Sequence, residues 1–141
     1  RIDIARDGAG TAVGAAVWRA PGREPGWIAT ARMNARLLAA YGRSTLRVRR
    51  LERESDKLAP RFPHWYLGFL GVVGEAQGRG VGGALLDRGI EAAGDHAAYL
   101  ESSTPGSQAL YERKGFIPLG AAGQGKPWAV VCMWRPGKVE R

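Results

Sequence analysis

Hydrophobic and polar residues alternate from the start of the chain, on both sides of a short turn. In the stretch RIDIARDGAGTAVGAAVW, two alternating runs flank Asp7-Gly8-Ala9-Gly10, a composition that tolerates positive backbone φ angles. We therefore predict a β-hairpin. The Pro- and Gly-rich segment 19–26 that follows is predicted to be a loop.

Two segments with helical periodicity come after this loop. In residues 27–41 the apolar positions share one helical stripe, formed by Ile28, Ala31, Ala35, Leu38 and Ala39. Gly42 is predicted to end this helix, and Ser44 is predicted to cap the next one. The inner face of the second helix is predicted to carry Val48, Leu51 and Leu58.

Beyond Pro60 and Pro63 the pattern changes to strands that alternate with helices. HWYLGFLGVV, residues 64–73, is predicted to be a buried strand because it is rich in aromatic and β-branched residues. A helix from about residue 80 to residue 94 follows, and then the short strand AAYLES. The inner side of that helix is predicted to carry Val81, Leu85, Leu86 and Ile90.

The last third of the chain carries the signals of one more helix and two strands. Thr104 and Pro105 are residue types of a helix N-cap and first turn, and Gly115 follows Arg113 and Lys114 where a helix would end. FIPL and WAVVCMW are predicted to be the final strands. The strand–helix–strand unit before them should be parallel. The pattern as a whole predicts one α/β domain with a mixed sheet.

Length and composition narrow the kinds of site that the chain can hold. It has 141 residues, the usual size of one domain, and begins at Arg1 rather than Met, so we expect it to be N-terminally incomplete. One cysteine, Cys132, and two distant histidines offer neither a disulfide nor a zinc spacing, and we expect no metal. No apolar run approaches the roughly 20 residues of a membrane span, and no signal peptide is visible. The expected location is cytoplasmic.

The charge is unevenly distributed along the chain. The formal net charge is +8, and one cluster in residues 43–53 contains Arg43, Arg47, Arg49, Arg50 and Arg53. Such a cluster can bind nucleic acid phosphates. The interleaved Glu52, Glu54 and Asp56 favour a solvated helix face instead. A nucleic-acid-binding module therefore stays open as an alternative.

The chemistry of the chain centres on the glycine-rich stretch GVVGEAQGRGVGGALL, residues 71–86. Gly78, Gly80 and Gly83 match the G-x-G-x-x-G pattern of dinucleotide-binding enzymes, and Glu101 lies near the expected acidic position. Four residues separate the strand from the first glycine, however, and only 40 residues follow Glu101, too few for a doubly wound sheet. The alternative is a loop whose backbone N–H groups, with the start of the next helix, hold a pyrophosphate.

The same loop, written as Q-x-x-G-x-G at Gln77, Gly80 and Gly82, resembles the coenzyme A loop of the GNAT N-acetyltransferase superfamily. HWYLGFLGV is similar to that family's central strand, and YLESSTPGSQALYERKGF is similar to its second signature. These motifs cover about residues 64–119 and are nearest to puromycin N-acetyltransferase-like members. The resemblance implies the GNAT fold, with a mixed, mostly antiparallel central sheet flanked by helices and with the family's N-terminal strand and helices missing before Arg1.

The resemblance also implies acetyl-CoA as the acyl donor and direct attack by a primary amine of a small molecule. An aminonucleoside-type antibiotic is one candidate acceptor; protein or peptide N-acetylation is the alternative. A homodimer stays open. The residues that would bind the coenzyme are Leu70, Val72, Val73, Gln77, Gly78, Arg79, Gly80, Val81, Gly82, Gly83, Ser107 and Tyr111.

Two residues are candidates for catalysis. Tyr111 occupies the family's usual tyrosine position, where a neutral phenol can protonate the departing thiolate at pH 7. Without the motif it would be interpreted as a core aromatic residue packed against Phe116. Glu101 is the candidate base or amine anchor, and an exposed strand-end charge or a salt bridge to Arg113 is the equal alternative. Ser107 stands where many family members carry an asparagine that binds the pantetheine arm.

Overall fold

The computed structural model describes residues 1–23, 26–42 and 44–138. Its described strands form one six-stranded sheet. They are β1 (Ile2–Arg6), β2 (Ala12–Arg19), β3 (His64–Val72), β4 (Ala97–Ser102), β5 (Ile117–Ala122) and β6 (Val130–Arg135). The helices are α1 (Trp27–Tyr41), α2 (Ser44–Leu58), α3 (Val81–Ala93) and α4 (Pro105–Arg113), and a 3-10 turn covers Gly74–Ala76. Within the described ranges, no helix is long and apolar enough to cross a membrane.

The sheet has the mixed topology that the sequence predicts. The strand order is β1-β2-β3-β4-β6-β5, and β3 and β4 are parallel whereas the other neighbouring pairs are antiparallel. The predicted hairpin is confirmed as β1 and β2, and the predicted parallel unit is confirmed as β3, α3 and β4. Gly42, Gly94 and Gly115 lie where the pattern ends α1, α3 and α4.

Strands β3 and β4 separate before they end. Their paired residues run from His64 with Ala97 to Leu67 with Leu100, whereas β3 continues to Val72 and β4 to Ser102. Beyond the last pair, the facing backbone groups of the two strands are therefore not joined to each other. A wedge-shaped opening in the middle of the sheet results.

Each face of the sheet has its own apolar cluster. The larger cluster lies under α3 and α4 and includes Trp18, Leu86, Leu100 and Met133, none of them more than 1% exposed. The smaller cluster lies on the opposite face and contains Tyr99, Ala122 and Cys132, against which Leu51 and Leu58 of α2 pack. The Glu54 carboxylate fastens α2 to the turn after β5, because it accepts a hydrogen bond of 2.6 Å from the Gly123 N–H. That bond is also the main reason for the lowered pKa of Glu54.

The faces of α1 and α2 differ from the prediction. The apolar stripe of α1 is exposed, with Ile28 56% and Leu38 59% exposed, and so is Val48 of α2 at 43%. Periodicity shows that apolar residues share a face but not which element covers that face. Ser44 is the first residue of α2 rather than the residue before it, and Arg43 lies outside the described residues.

Gly89 lies on the inner face of α3, where a Cβ atom would overlap the indole of Trp18. Because that indole is itself fully packed, we expect Gly89→Ala to lower the free energy of unfolding by about 1–3 kcal/mol. A thermal melt beside Gly83→Ala tests this, since a Cβ at Gly83 meets the side chains of Lys114 and Leu110 at ordinary contact distances of 3.6 Å or more. Equal melting temperatures for the two variants would contradict the packing argument.

Candidate active site

A cleft of about 580 Å³ opens on the α3 face of the sheet, beside the separated ends of β3 and β4. This volume lies within the range of small-molecule sites. Ten of the residues predicted to form the site line it: Leu70, Val72, Gln77, Gly78, Gly80, Val81, Gly82, Gly83, Ser107 and Tyr111. Val73, Arg79 and Glu101 do not line it.

The glycine loop has backbone conformations that suit anion binding. Gly78 and Gly80 have φ angles of 72° and 82°, in the left-handed region that glycine adopts at little cost. The first helical bond of α3 joins the Ala84 N–H to the Gly80 carbonyl at 2.9 Å. The N–H groups of Val81, Gly82 and Gly83 therefore have no partner inside the helix, and no side chain caps them. Such a helix start is an anion site, so the residues present fit the pyrophosphate of a coenzyme.

The edge of β3 that faces the opening carries free backbone groups at Leu70. The Val73 N–H donates to the Val13 carbonyl on β2 at 2.9 Å, and the direction of backbone groups alternates along a strand. Those of Leu70 and Val72 therefore point away from β2, toward the opening. The Val72 carbonyl accepts a bond of 3.0 Å from Gln77 Nε2. Gln77 thus fixes the loop to the strand. The Val73 N–H faces β2 instead of the opening, so it is not available for the predicted contact with the coenzyme.

Tyr111 lies in the α4 wall of the cleft and is only 7% exposed. Its ring packs against Phe116 with the ring centroids 6.0 Å apart, so the core packing of the alternative interpretation is present as well. Among the described residues, none is a hydrogen-bond partner of its hydroxyl. Burial raises the pKa of Tyr111, which keeps the phenol neutral at pH 7. The ring is therefore fixed while its proton remains available for transfer.

Ser107 has a structural function in addition to lining the cleft. Its hydroxyl contacts the Ser102 hydroxyl at 2.7 Å and donates to the Thr104 carbonyl at 2.9 Å. Thr104 and Ser107 form a reciprocal capping box that starts α4. The Thr104 cap is thus confirmed, whereas this use of Ser107 was not predicted from the sequence.

Glu101 lies on the other face of the sheet, as the residue that follows the last β3–β4 pair. Its carboxylate accepts hydrogen bonds of 3.3 Å from the hydroxyls of Tyr66 and Tyr99. The alternative salt bridge to Arg113 is wrong, because Arg113 lines the cleft on the opposite face. Glu101 therefore borders the opening from the side of α2, whereas Tyr111 borders it from the side of α4.

The cleft also contains residues that the sequence analysis did not assign, namely Ala76, Gly106, Leu110 and Arg113. Three of them share a helix face with Ser107 and Tyr111, and the 3.6-residue period could have identified them. Arg113 provides the lining cation that was predicted at Arg79. Arg79 is exposed outside the cleft.

Within the described residues, no group of three or more His, Cys, Asp or Glu side chains could hold a metal ion.

Residues 6–116 match the family model described as the acetyltransferase (GNAT) family. The chain belongs to the GNAT family. The predicted family and the predicted mixed, mostly antiparallel fold are confirmed. Membership of this family argues against a dinucleotide-binding enzyme, whose fingerprint belongs to a doubly wound sheet.

One solved structure supports this membership, and two more share the fold. A protein of Corynebacterium glutamicum, described as histone acetyltransferase HPA2 and related acetyltransferase, is 35% identical with a TM-score of 0.73. The match covers 99% of this chain and 65% of that one, so the chain spans slightly less than two thirds of this relative's length. A mosquito arylalkylamine N-acetyltransferase like 5b is 16% identical with a TM-score of 0.66, and covers 95% and 73% of the two chains. The NatC complex bound to Gag peptide and CoA contains a chain that is 18% identical with a TM-score of 0.59, with 97% and 71% covered. The last two share the fold.

Proposed function

We propose that the protein is an acetyl-CoA-dependent N-acetyltransferase that acts on a primary amine of a small molecule. The observation that carries this proposal is the opening between β3 and β4, which borders the glycine-loop cleft on one face and Glu101 on the other. A donor and an acceptor can reach the same opening from opposite sides. A cytoplasmic location is part of the proposal, since the one buried cysteine suits a reducing compartment.

The donor side is formed by the cleft. The amides of the glycine loop and of the first turn of α3 hold the pyrophosphate, and Arg113 adds a positive charge. The free backbone groups of Leu70 pair with the pantetheine arm along the edge of β3. The Leu70 N–H can also polarise the thioester carbonyl, and a donor of this kind contributes about 10²–10³ in rate where it has been removed from other enzymes.

The chemical step needs a neutral amine and a proton for the leaving group. The amine nitrogen attacks the thioester carbon, an N–C bond forms, and the C–S bond breaks. The departing thiolate takes the Tyr111 proton, and the proton lost by the amine returns to the tyrosinate through water. Glu101 anchors the amine on the α2 face, where the two tyrosine hydroxyls hold the carboxylate in place.

Binding of CoA provides the direct test of this function. Free CoA at 100 times its dissociation constant should stabilise the folded protein by about 2.7 kcal/mol. A thermal melt with CoA measures this shift, and NADH at the same concentration is the control, because it carries a pyrophosphate without a pantetheine arm. A larger shift with NADH than with CoA would overturn the proposal in favour of a dinucleotide site.

Protein or peptide N-acetylation is the second candidate. The observation that favours it is the 35% identity to the Corynebacterium protein described as histone acetyltransferase HPA2 and related acetyltransferase. Transfer of acetyl to peptides but not to small amines would decide for it.

The described arginines of the α2 cluster are exposed, and Arg50 is bonded to Glu54 at 3.0 Å. Nucleic acid binding would instead show an affinity that falls steeply with salt.

A further inference from the structure

A second cavity lies on the α2 face of the sheet, at the beginning of β3. It encloses about 290 Å³ between the end of β2 and the segment 60–64. Its lining combines three prolines, which give it stiff walls, with the basic side chains Arg19, Arg61 and His64. No acidic side chain lines it among the described residues. The cavity therefore suits an anionic group.

Tyr66 joins this basic cavity to Glu101. The Arg19 guanidinium lies over the Tyr66 ring, 4.9 Å from its centroid, and the Tyr66 hydroxyl donates to Glu101 Oε2 at 3.3 Å. The ring of Tyr99 stacks beside Tyr66 at 6.0 Å and contacts His64, and the Tyr99 hydroxyl donates to Glu101 Oε1 at 3.3 Å. The two tyrosines thus form one layer whose hydroxyls meet the Glu101 carboxylate, and the Arg19 guanidinium lies over the ring of Tyr66.

His64 is held in one orientation at the edge of this layer. Its Nδ1 lies 2.8 Å from the Phe62 carbonyl, and since a carbonyl only accepts, Nδ1 carries the proton. Nε2 is then the nitrogen left for a ligand. The cavity consequently presents the oriented His64 ring beside Arg19 and Arg61.

We propose that the acceptor is a small amine that also carries an acid group, either a carboxylate or a phosphate. The acid group binds at Arg19 and Arg61, and the amine lies at Glu101, next to the opening in the sheet. The acid group then meets guanidinium groups of opposite charge, and the neutral amine donates a hydrogen bond to the Glu101 carboxylate. The tyrosine layer lies alongside the middle of the molecule. This inference rests on the proposed acetyltransferase function and names the class of its substrate.

The test compares amines that differ only in the acid group. With acetyl-CoA as donor, release of the CoA thiol is measured for γ-aminobutyrate against its amide, and for O-phosphoethanolamine against ethanolamine. We expect at least one acid of the two pairs to have a kcat/KM about 10-fold or more above its neutral counterpart, the effect of one charge-assisted hydrogen bond. Preference in the first pair identifies a carboxylate, and preference in the second a phosphate.

Variants show whether the cavity causes the preference. In Arg61→Gln the acid-to-neutral ratio should fall to near one. Arg88→Gln is the matched control, because Arg88 is exposed on α3, on the other face of the sheet, and its loss changes the net charge equally. That variant should keep the wild-type ratio. An equal fall in both variants would assign the preference to the overall charge and overturn the site.

The acid site and the acetyltransferase function predict different results when each is absent. If CoA binds and the neutral amines match the acids, both in rate and in stabilisation of the CoA complex, the acid site is wrong and the acetyltransferase function stands. If CoA does not stabilise the protein, the proposed function fails, and the acceptor site fails with it.

Discussion

A Gly82→Val variant is expected to bind CoA at least about 100-fold more weakly than the wild-type protein while keeping its fold. Gly82 lies in the first turn of α3 and lines the cleft. A Cβ there meets only Leu110 and Val72, at the ordinary contact distances of 3.6 and 3.7 Å. The added isopropyl group would stand between the incoming pyrophosphate and the free amides. A 100-fold loss corresponds to about 2.7 kcal/mol, or one to two charge-assisted hydrogen bonds.

Isothermal titration with CoA measures this loss, and Ala84→Val is the matched control. Ala84 is two residues further along the same helix, is exposed and does not line the cleft, so the control adds a β-branched residue without the obstruction. Gly80→Val is less informative. Gly80 has a φ of 82°, so any side chain there also strains the backbone. If a folded Gly82→Val variant binds CoA as tightly as Ala84→Val does, the assignment of this loop as the phosphate-binding site is refuted.

The elements with strong local signals could be predicted from the sequence. The hairpin turn, the caps of α4 and the glycines that end the helices depend on conformations of single residues, so neighbouring residues were sufficient evidence. The outward stripe of α1 could not be predicted, since the same apolar period suits a buried helix and an uncovered one. For the same reason Val48 was placed inside, although it is 43% exposed and the other two predicted residues, Leu51 and Leu58, pack against the sheet.

The site was predictable where a sequence motif determines the backbone conformation. It was less predictable where the hydrogen-bond partner of a side chain depends on the tertiary structure. The glycine loop and Tyr111 lie in one cleft, as their motifs imply. The partners of Ser107 and Gln77 follow from the tertiary structure, which brings a cap and a strand end within their reach. Glu101 shows the same limit. Alternation along β4 puts it on the opposite face from Leu100, but only the pairing of β3 and β4 shows that it borders the opening.

The largest effect on catalysis is expected from Tyr111→Phe. The change removes one hydroxyl and keeps the ring, so the packing against Phe116 remains. If the phenol protonates the departing thiolate, kcat should fall about 10²–10⁴-fold, the usual range for a lost acid–base group. The KM for acetyl-CoA should stay near the wild-type value, because the lost interaction is made only in the transition state. Steady-state kinetics and a thermal melt on the same preparation provide both readouts.

The pH dependence separates a proton donor from a packing residue. Burial raises the pKa of Tyr111 above its ordinary value of about 10, and the acid acts only while it holds its proton. In the wild-type protein, kcat should therefore fall as the pH rises through that raised pKa. This fall, the alkaline limb of the pH profile, should be missing in Tyr111→Phe. A core residue would behave differently: its loss would lower the melting temperature and leave the limb in place. Near-wild-type turnover with an unchanged alkaline limb in a well-folded variant would end the assignment, and protonation would then fall to water or to the substrate.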